Sequence, residues 1–296
     1  MNTQQELKNV ERQKILLDYK GEDRVVPVAE LLEELKGTEK GDKKLYSKIS
    51  LLDNMVDGFR KGNLVIVSAP TGQGKTTFCK TLTKNFTENG MNSIWFSYEV
   101  PPKEFMESFP EGNQYLTMPR EMTTGALSWI ENRILESKAK FNTNIVFIDH
   151  LHFLLEMKDL AIAKNQSILI GMILRELKKI ALNHNLIIFL IAHMRKKDTE
   201  NQIPTIDDLR DSSFVAQESD MVMLLWRKQV GKPEKGLPPE WTNEAVLSVV
   251  KNRRTGKLGF VKLEYNFRRN EFVEQDLFRG TEKIPENEIN PEQIFN

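Results

Sequence analysis

The residues best suited to chemistry form a short loop that directly follows a hydrophobic run. The two glycines of this loop allow successive backbone N–H groups to point into one concavity, and a helix beginning there adds its positive N-terminal end. We predict that Lys75 contacts the β- and γ-phosphates of a nucleotide and that the Thr76 hydroxyl binds Mg²⁺. An ordinary glycine turn before a helix is the alternative. The stretch reads Ala69, Pro70, Thr71, Gly72, Gln73, Gly74, Lys75, Thr76 and Thr77, the phosphate-loop pattern with Ala in place of the first Gly.

Two acidic residues stand at the ends of other hydrophobic runs. Asp149 follows the run 144–148 and is the predicted second Mg²⁺ ligand, because a phosphate loop pairs with a carboxylate from another strand. Glu99 follows the run 93–98, where a carboxylate beside the phosphates can orient and deprotonate an attacking water. For each of them, a solvated acid at the end of a strand is the alternative.

Histidines offer two further possibilities. His193 follows the run 186–192 and is predicted to sense the γ-phosphate, with a structurally satisfied histidine as the alternative. The segment 149–152 also carries His150 and His152 at alternate positions, which suggests a transition-metal site. We expect none, because no Cys, further acid cluster or second close His pair completes the ligand set. The single cysteine, Cys79, is expected to be a small packing residue.

Near-continuous apolar runs define the elements that must position these residues. They recur at spacings that suit helical crossovers, and continuous runs are typical of strands buried on both faces of a mostly parallel sheet. The runs are 64–67, 93–98, 144–148, 186–191 and 221–225. One helical face between them is predicted to hold Ile168, Leu169, Met172, Ile173, Leu177, Ile180 and Ala181. Residues 245–250 and 260–265 are predicted to form an antiparallel hairpin at a sheet edge.

The amino-acid composition excludes several classes of protein. The 296 residues contain 42 Lys plus Arg and 42 Asp plus Glu, so the net charge is zero, which excludes a histone-like polycation and a disordered acidic tail. No run approaches the roughly 18 apolar residues of a membrane helix, and the N-terminus lacks a signal pattern. We therefore expect a cytoplasmic protein that does not contact a membrane.

The chain is predicted to have three regions. Residues 1–45 are charged and weakly periodic, with one short amphipathic helix candidate at 28–35, and form a linker or docking arm. Residues 46–276 form the α/β domain. Residues 277–296 are polar, contain Pro285 and Pro291, and are expected to be a loose tail.

The order of these motifs resembles the RecA-like ATPase domain of DnaB-type replicative DNA helicases over residues 46–266. The resemblance implies a RecA-like P-loop NTPase fold with a mostly parallel central sheet, helices on both faces and a C-terminal antiparallel hairpin. It also implies a helicase or translocase that uses ATP, or another NTP, with Mg²⁺ on single-stranded DNA in replication. Its expected assembly is a homo-oligomeric ring, a hexamer, with a primase or a helicase loader as a further partner. The stretches that carry the resemblance are 49–64, 97–100, 148–151, 175–181, 208–220 and 251–256.

Two of these stretches imply roles for individual residues. Residues 208–220 resemble the family's DNA-binding loop and the helix that follows it, which implies that Arg210, Asp211 and Ser213 contact the single-strand backbone. Residues 251–256 are similar to the family's final basic motif. The resemblance implies that Lys251 and Arg253 enter the neighbouring subunit's nucleotide site, with Arg253 as an arginine finger supplied in trans.

Other functions stay open at this point. A RecA-, RadA- or KaiC-like ATPase in recombination or regulation shares the predicted fold. A small-molecule phosphotransferase shares the phosphate loop, although residues 208–220 and the basic motif argue against it. A nucleotide-binding helicase loader whose hydrolysis has decayed is the non-enzymatic alternative, and intact Lys75, Thr76, Glu99, Asp149 and Arg253 argue against that.

Overall fold

The computed structural model describes residues 2–21, 24–38, 44–110, 116–123, 127–154, 166–194, 203–209, 212–230 and 240–275. The chain divides into two compact units, residues 1–43 and 44–296. The first unit contains helices α1 (Asn2–Leu17) and α2 (Val28–Thr38). The sequence predicted α2, but it did not predict α1, whose residues are mostly polar. The tail predicted at 277–296 lies outside the described residues.

One sheet of nine strands organises the described part of the second unit. Its order is β3-β2-β4-β5-β1-β6-β7-β8-β9. The strands from β3 to β6 in that order are parallel, and those from β6 to β9 are antiparallel. The strands are β1 (Leu64–Ala69), β2 (Asn92–Ser97), β3 (Leu116–Thr117), β4 (Thr143–Asp149), β5 (Ile187–His193), β6 (Met221–Val230), β7 (Glu240–Asn252), β8 (Gly259–Asn266) and β9 (Glu271–Glu274).

Helices cover both faces of this sheet, as the continuous apolar runs predicted. Because successive strand residues point to opposite faces, Val65 and Val67 join one hydrophobic cluster with α3 and α4. Leu64 and Ile66 join the other cluster, with α6, α7 and α8. The helices are α3 (Ser50–Val56), α4 (Lys75–Glu88), α5 (Pro102–Glu107), α6 (Leu127–Phe141), α7 (Gln166–Asn183) and α8 (Ser212–Glu218).

Two details of the prediction were wrong. The hairpin of β7 and β8 is antiparallel as predicted, but it does not form the sheet edge, because β9 pairs with β8 on its outer side. With only four residues, β9 is too short to leave a clear sequence pattern. On α7, Ile168 and Met172 are 53% and 57% exposed, because the buried stripe of this helix runs instead through Ile170, Ile173, Leu174, Leu177 and Ala181.

No helix among the described residues combines the length and the apolar character that crossing a membrane requires.

Candidate active site

The parallel strands bring the predicted site residues to one edge of the sheet. In the registered pairs, Ala69 at the end of β1 lies beside His193 at the end of β5, and Ser97 at the end of β2 lies beside Asp149 at the end of β4. The phosphate loop follows Ala69, and Glu99 follows Ser97 by two residues. The residues therefore converge because the carboxyl ends of parallel strands meet at the same edge.

The loop has the backbone shape that its glycines predicted. Gly72 and Gly74 have positive φ angles of 79° and 93°, and Gly74 lies at the N-cap of α4, which begins at Lys75. Gln73 is buried, and its side-chain oxygen accepts a hydrogen bond of 3.0 Å from the backbone N–H of Arg227 in β6. The neighbouring strand thus anchors the loop, an interaction that the sequence did not reveal.

Gly74→Ala is expected to destabilise the protein more than Gly90→Ala. Both glycines have positive φ, which costs an alanine about 1–2 kcal/mol. A Cβ at Gly90 meets nothing within 4 Å, whereas one at Gly74 lies 3.0 Å from the buried Phe272 ring, an overpacking that adds about 1–3 kcal/mol. The comparison is the free energy of unfolding of both variants in urea. Equal losses would show that the Phe272 ring does not restrict the loop.

Thr76 and Asp149, the two predicted Mg²⁺ ligands, lie in direct contact. The Thr76 hydroxyl donates a hydrogen bond of 2.7 Å to Oδ2 of Asp149. Asp149 is 1% exposed, and its Oδ1 is buried without a hydrogen-bond partner. Because Mg²⁺ prefers oxygen ligands, this hydroxyl and the unpartnered carboxylate oxygen fit that ion.

The electrostatics of this pair follow from burial. Burial raises the pKa of the Asp149 carboxyl to about 6, an effect that the hydrogen bond from Thr76 opposes. Burial also lowers the pKa of the Lys75 ammonium group, and the charges of Asp149 and Glu99 oppose that shift. The ligand-free site therefore holds a carboxylate that is unfavourable for folding and that a cation would stabilise.

Asp149→Asn is expected to stabilise the ligand-free protein at pH 8 by about 1–2 kcal/mol. The pKa difference between about 6 in the folded protein and the ordinary 3.8 corresponds to about 3 kcal/mol, and the unpartnered amide N–H of Asn removes part of the gain. The folded carboxyl binds more protons than the unfolded one between these two values. The gain is therefore full above pH 6 and shrinks as the pH falls toward 3.8.

The measurement for this prediction is the free energy of unfolding in EDTA at several pH values. Asp207→Asn is the matched control, because Asp207 is exposed and such changes are usually within about 0.5 kcal/mol. A loss of stability at pH 8 in the Asp149 variant would contradict the prediction.

Glu99, His150 and His193 lie together beside this pair. Oε1 of Glu99 is 2.9 Å from Nε2 of His150 and 3.4 Å from Nε2 of His193, and the two imidazole rings are 4.0 Å apart. Two further groups with metal-binding atoms thus lie beside His150, and the sequence pattern did not reveal them because they come from neighbouring strands. The side chain of His152 lies outside the described residues.

Lys251 and Arg253 lie at the opposite end of the sheet from the phosphate loop. Asn252 pairs with Met221, the first residue of β6, and the backbone N–H of Arg253 donates to the carbonyl of Asp220. Asp220 in turn donates its backbone N–H to the carbonyl of Leu64, where β1 begins. Since β1 has six residues, about 20 Å separates the two ends. Neither basic residue belongs to the nucleotide site of its own chain.

The side chains of these two basic residues contact the end of α8. The Lys251 ammonium group donates to the carbonyls of Ala216 and Ser219, and burial lowers its pKa to about 8. The Arg253 guanidinium donates to the carbonyl of Gln217 at 2.6 Å and lies 3.5 Å from Oδ1 of Asp220, with its side chain 51% exposed. About half of the Arg253 side chain is therefore accessible to another molecule.

The three predicted DNA-contacting residues are only partly described. Arg210 and Asp211 lie outside the described residues. Ser213 is exposed in the first turn of α8. Upstream of them, Asp208 is buried and accepts a hydrogen bond from the backbone N–H of Thr205, which caps a short 3₁₀-helix. Cys79 is buried in the cluster around α4, as predicted.

The comparisons with known proteins give the family. The family model of the DnaB-like helicase C-terminal domain matches residues 45–127 and 113–274. The chain belongs to this family. It is 25% identical over 268 residues to the replicative DNA helicase DnaB of Mycoplasma genitalium, covering 78% of this chain and 56% of that protein. It is 22% identical over 267 residues to DnaB of Geobacillus stearothermophilus, covering 79% and 57%. The chain thus spans about half the length of these curated relatives.

Solved structures share the fold of this DnaB-like domain. One of them, described as an ATPase domain, superposes with a TM-score of 0.66 at 21% identity, covering 84% of this chain and 97% of that one. A DnaB-like replicative helicase, described with its interactions with primase, superposes with a TM-score of 0.65 at 21% identity, covering 93% and 75%. These likenesses confirm the predicted fold class.

Two contributors to the site of this DnaB-like domain were not predicted from the sequence. One is His150, whose position directly after Asp149 was visible but whose neighbours were not. The other is Arg227, whose backbone N–H holds Gln73. Its side chain lies 4.7 Å from the ring centre of Tyr265. Nothing local in the sequence signals either contact, because both join residues far apart in the chain.

Proposed function

We propose that this DnaB-like domain hydrolyses ATP, or another NTP, with Mg²⁺ and drives movement along single-stranded DNA as a replicative helicase. The observation that carries the proposal is the convergence of the phosphate loop, Asp149 and Glu99 at one sheet edge. Family membership supports nucleotide use. The cytoplasm is the compartment that we propose for this activity.

Each residue of the site has a distinct task in the proposed reaction. Lys75 and the N–H groups of the loop neutralise and orient the phosphates. Thr76 and Asp149 would hold Mg²⁺, which supplies charge neutralisation on the phosphates when bound. Glu99, whose side chain is 38% exposed, orients a water and accepts its proton. His193 senses the γ-phosphate from the end of β5.

We propose a homo-oligomeric ring, which we expect to be a hexamer, and the position of Arg253 supports this assembly. The guanidinium is too far from the loop of its own chain to act there, so the nucleotide that it contacts in this proposal is bound by a neighbouring subunit. A guanidinium supplied in trans stabilises the charge that develops on the transferred phosphoryl group. The location of Lys251 beside it is consistent with the same interface.

Single-stranded DNA is the proposed substrate along which the domain moves. Arg210, Asp211 and Ser213 are proposed to contact its backbone, which would bind phosphates without reading sequence. Loss of the γ-phosphate would change the subunit interface and move this loop along the strand. A primase or a helicase loader is proposed as a further partner, in line with the related helicase structure that describes interactions with primase.

Steady-state ATP hydrolysis tests the proposal, measured with and without single-stranded DNA over a range of protein concentrations. We expect DNA to stimulate the rate and the rate to rise more steeply than linearly with protein concentration, because each site needs a neighbour. A slow rate of ATP hydrolysis that changes with neither DNA nor protein concentration would contradict the helicase function. Closed rings in electron micrographs would separate it from a filament-forming recombinase.

A further inference from the structure

Three side chains with metal-binding atoms meet beside the phosphate loop. They come from three separate strand ends, with Glu99 after β2, His150 after β4 and His193 at the end of β5. The Glu99 oxygen Oε1 lies 2.9 Å and 3.4 Å from the Nε2 atoms of His150 and His193. One ligand atom from each of the three residues lies within 4.8 Å of the others.

These separations are close to those of a tetrahedral metal centre. Zinc bonds to histidine nitrogen and carboxylate oxygen are about 2.0–2.2 Å long, so two ligands of a tetrahedral site lie about 3.3–3.5 Å apart. The 3.4 Å distance from Glu99 to His193 falls within this range, and the 2.9 Å distance to His150 is about 0.4 Å shorter. A dication can therefore be accommodated between the three groups if the ligand atoms, which lie within 4.8 Å of one another, adjust by at most about 1.5 Å.

The donor types select a different metal from the one expected at Thr76 and Asp149. Two imidazole nitrogens with one carboxylate suit Zn²⁺ and its transition-metal neighbours, whereas Mg²⁺ takes oxygen ligands. Three protein ligands also leave a fourth position for water, as in zinc sites that remain open. The donor atoms of these two adjacent groups of side chains thus favour different metals.

The surroundings make this cluster both preformed and accessible. His150 is buried, and its ring lies 4.8 Å from the ring of Phe153 and 4.0 Å from that of His193. His193 lies at the end of β5, a central strand of the sheet. The Glu99 side chain is more exposed than either histidine. An ion from solution can therefore enter on the Glu99 side and meet two imidazoles that packing already orients.

We propose that Glu99, His150 and His193 form a binding site for a transition-metal dication such as Zn²⁺, and that its occupancy inhibits hydrolysis. A Glu99 carboxylate bound to the ion is less basic and is held in place by the metal, so it accepts a proton from the attacking water poorly. The inhibitory half of this proposal rests on the proposed function, in which Glu99 activates water. The binding half does not depend on it.

Cobalt absorption tests the binding half without any enzymatic readout. Co²⁺ is titrated into the nucleotide-free full chain in excess Mg²⁺, which saturates sites with oxygen ligands alone. We expect the intense visible bands of tetrahedral Co²⁺ at one equivalent, and their disappearance when Zn²⁺ displaces the cobalt. Wild-type bands that are absent, or that stay when Zn²⁺ is added, would overturn the proposal.

Substitutions assign the ligands. His150→Gln and His193→Gln should each weaken binding by more than the roughly 10–100-fold that losing a hydrogen-bond partner of a metal ligand costs. His184→Gln is the matched control, because His184 Nε2 lies 2.6 Å from a Glu131 oxygen but belongs to no group of three ligands among the described residues. Unchanged affinity in His150→Gln would overturn the proposal. Zn²⁺ should also raise the Tm of the wild type but not that of either variant. A variant must unfold cooperatively to give a Tm, so the same measurement shows that it is folded.

The inhibitory half is measured as the Zn²⁺ concentration that halves ATP hydrolysis in excess Mg²⁺. We expect His150→Gln to require at least about ten times more Zn²⁺ than the wild type, relative to its own zinc-free rate. Cobalt binding without any ATP hydrolysis would contradict the proposed function and leave the metal site supported. Active hydrolysis without cobalt binding would overturn the metal site alone.

Discussion

Replacing Arg253 with alanine is expected to lower the kcat of ATP hydrolysis by about 10³-fold or more, the effect of losing an arginine finger. The guanidinium lies at the end of the sheet opposite its own phosphate loop, so under the proposed action in trans its loss removes a charge from the neighbour's site. Nucleotide affinity should change much less, because the loop, Thr76 and Asp149 are untouched. The measurement is steady-state hydrolysis at protein concentrations that saturate assembly.

Mixing two inactive variants tests whether the arginine acts in trans. Lys75→Ala subunits lack phosphate binding but keep Arg253, and Arg253→Ala subunits keep a complete loop. In a mixed ring, an Arg253→Ala site that faces a Lys75→Ala neighbour is complete again, so the mixture should hydrolyse ATP faster than either variant alone. No gain in a mixture shown to assemble would contradict action in trans.

The control for Arg253 is its neighbour Arg254. Arg254 is also exposed and lies 3.8 Å from a carboxylate oxygen of Asp57, so Arg254→Ala removes the same charge from the same turn. We expect Arg254→Ala to retain hydrolysis within a few fold. A comparable loss in both variants would indicate that general charge, and not a positioned guanidinium, matters at this turn.

Glu99→Gln is expected to lower kcat by about 10²–10⁴-fold, the usual contribution of a general base. The amide has the same shape as the carboxylate but cannot accept a proton from water. The KM for ATP should change little, because Glu99 lies outside the phosphate loop and is not one of the two predicted Mg²⁺ ligands. The measurement is the separate determination of kcat and KM in the DNA-stimulated reaction.

Glu107→Gln is the matched control for Glu99. Glu107 is an exposed carboxylate on α5 whose ion pair with Lys103 spans 3.8 Å, so its loss should leave hydrolysis unchanged. A Glu99→Gln variant that keeps its kcat would contradict the role of Glu99 in activating water. Binding of a fluorescent nucleotide to the variant shows that the site is still folded.

Local patterns in the sequence predicted much of this site. The phosphate loop is contiguous, so its glycines and Lys75 indicate both its shape and its ligand. Asp149 and Glu99 were found because each follows a continuous apolar run, and parallel strands bring such ends to one edge. The same pattern could not predict the short strands, because β3 has only two residues and β9 only four.

The α/β class, the central strands and the phosphate loop could be predicted from the sequence, because each depends on residues that are close together in the chain. The contact of His150 with Glu99 and His193, the packing of Phe272 against Gly74 and the distance of Arg253 from its own loop became visible only in the folded chain. Strand order and register bring together residues that are separated by tens to hundreds of positions. No local pattern of hydrophobicity or charge encodes that pairing.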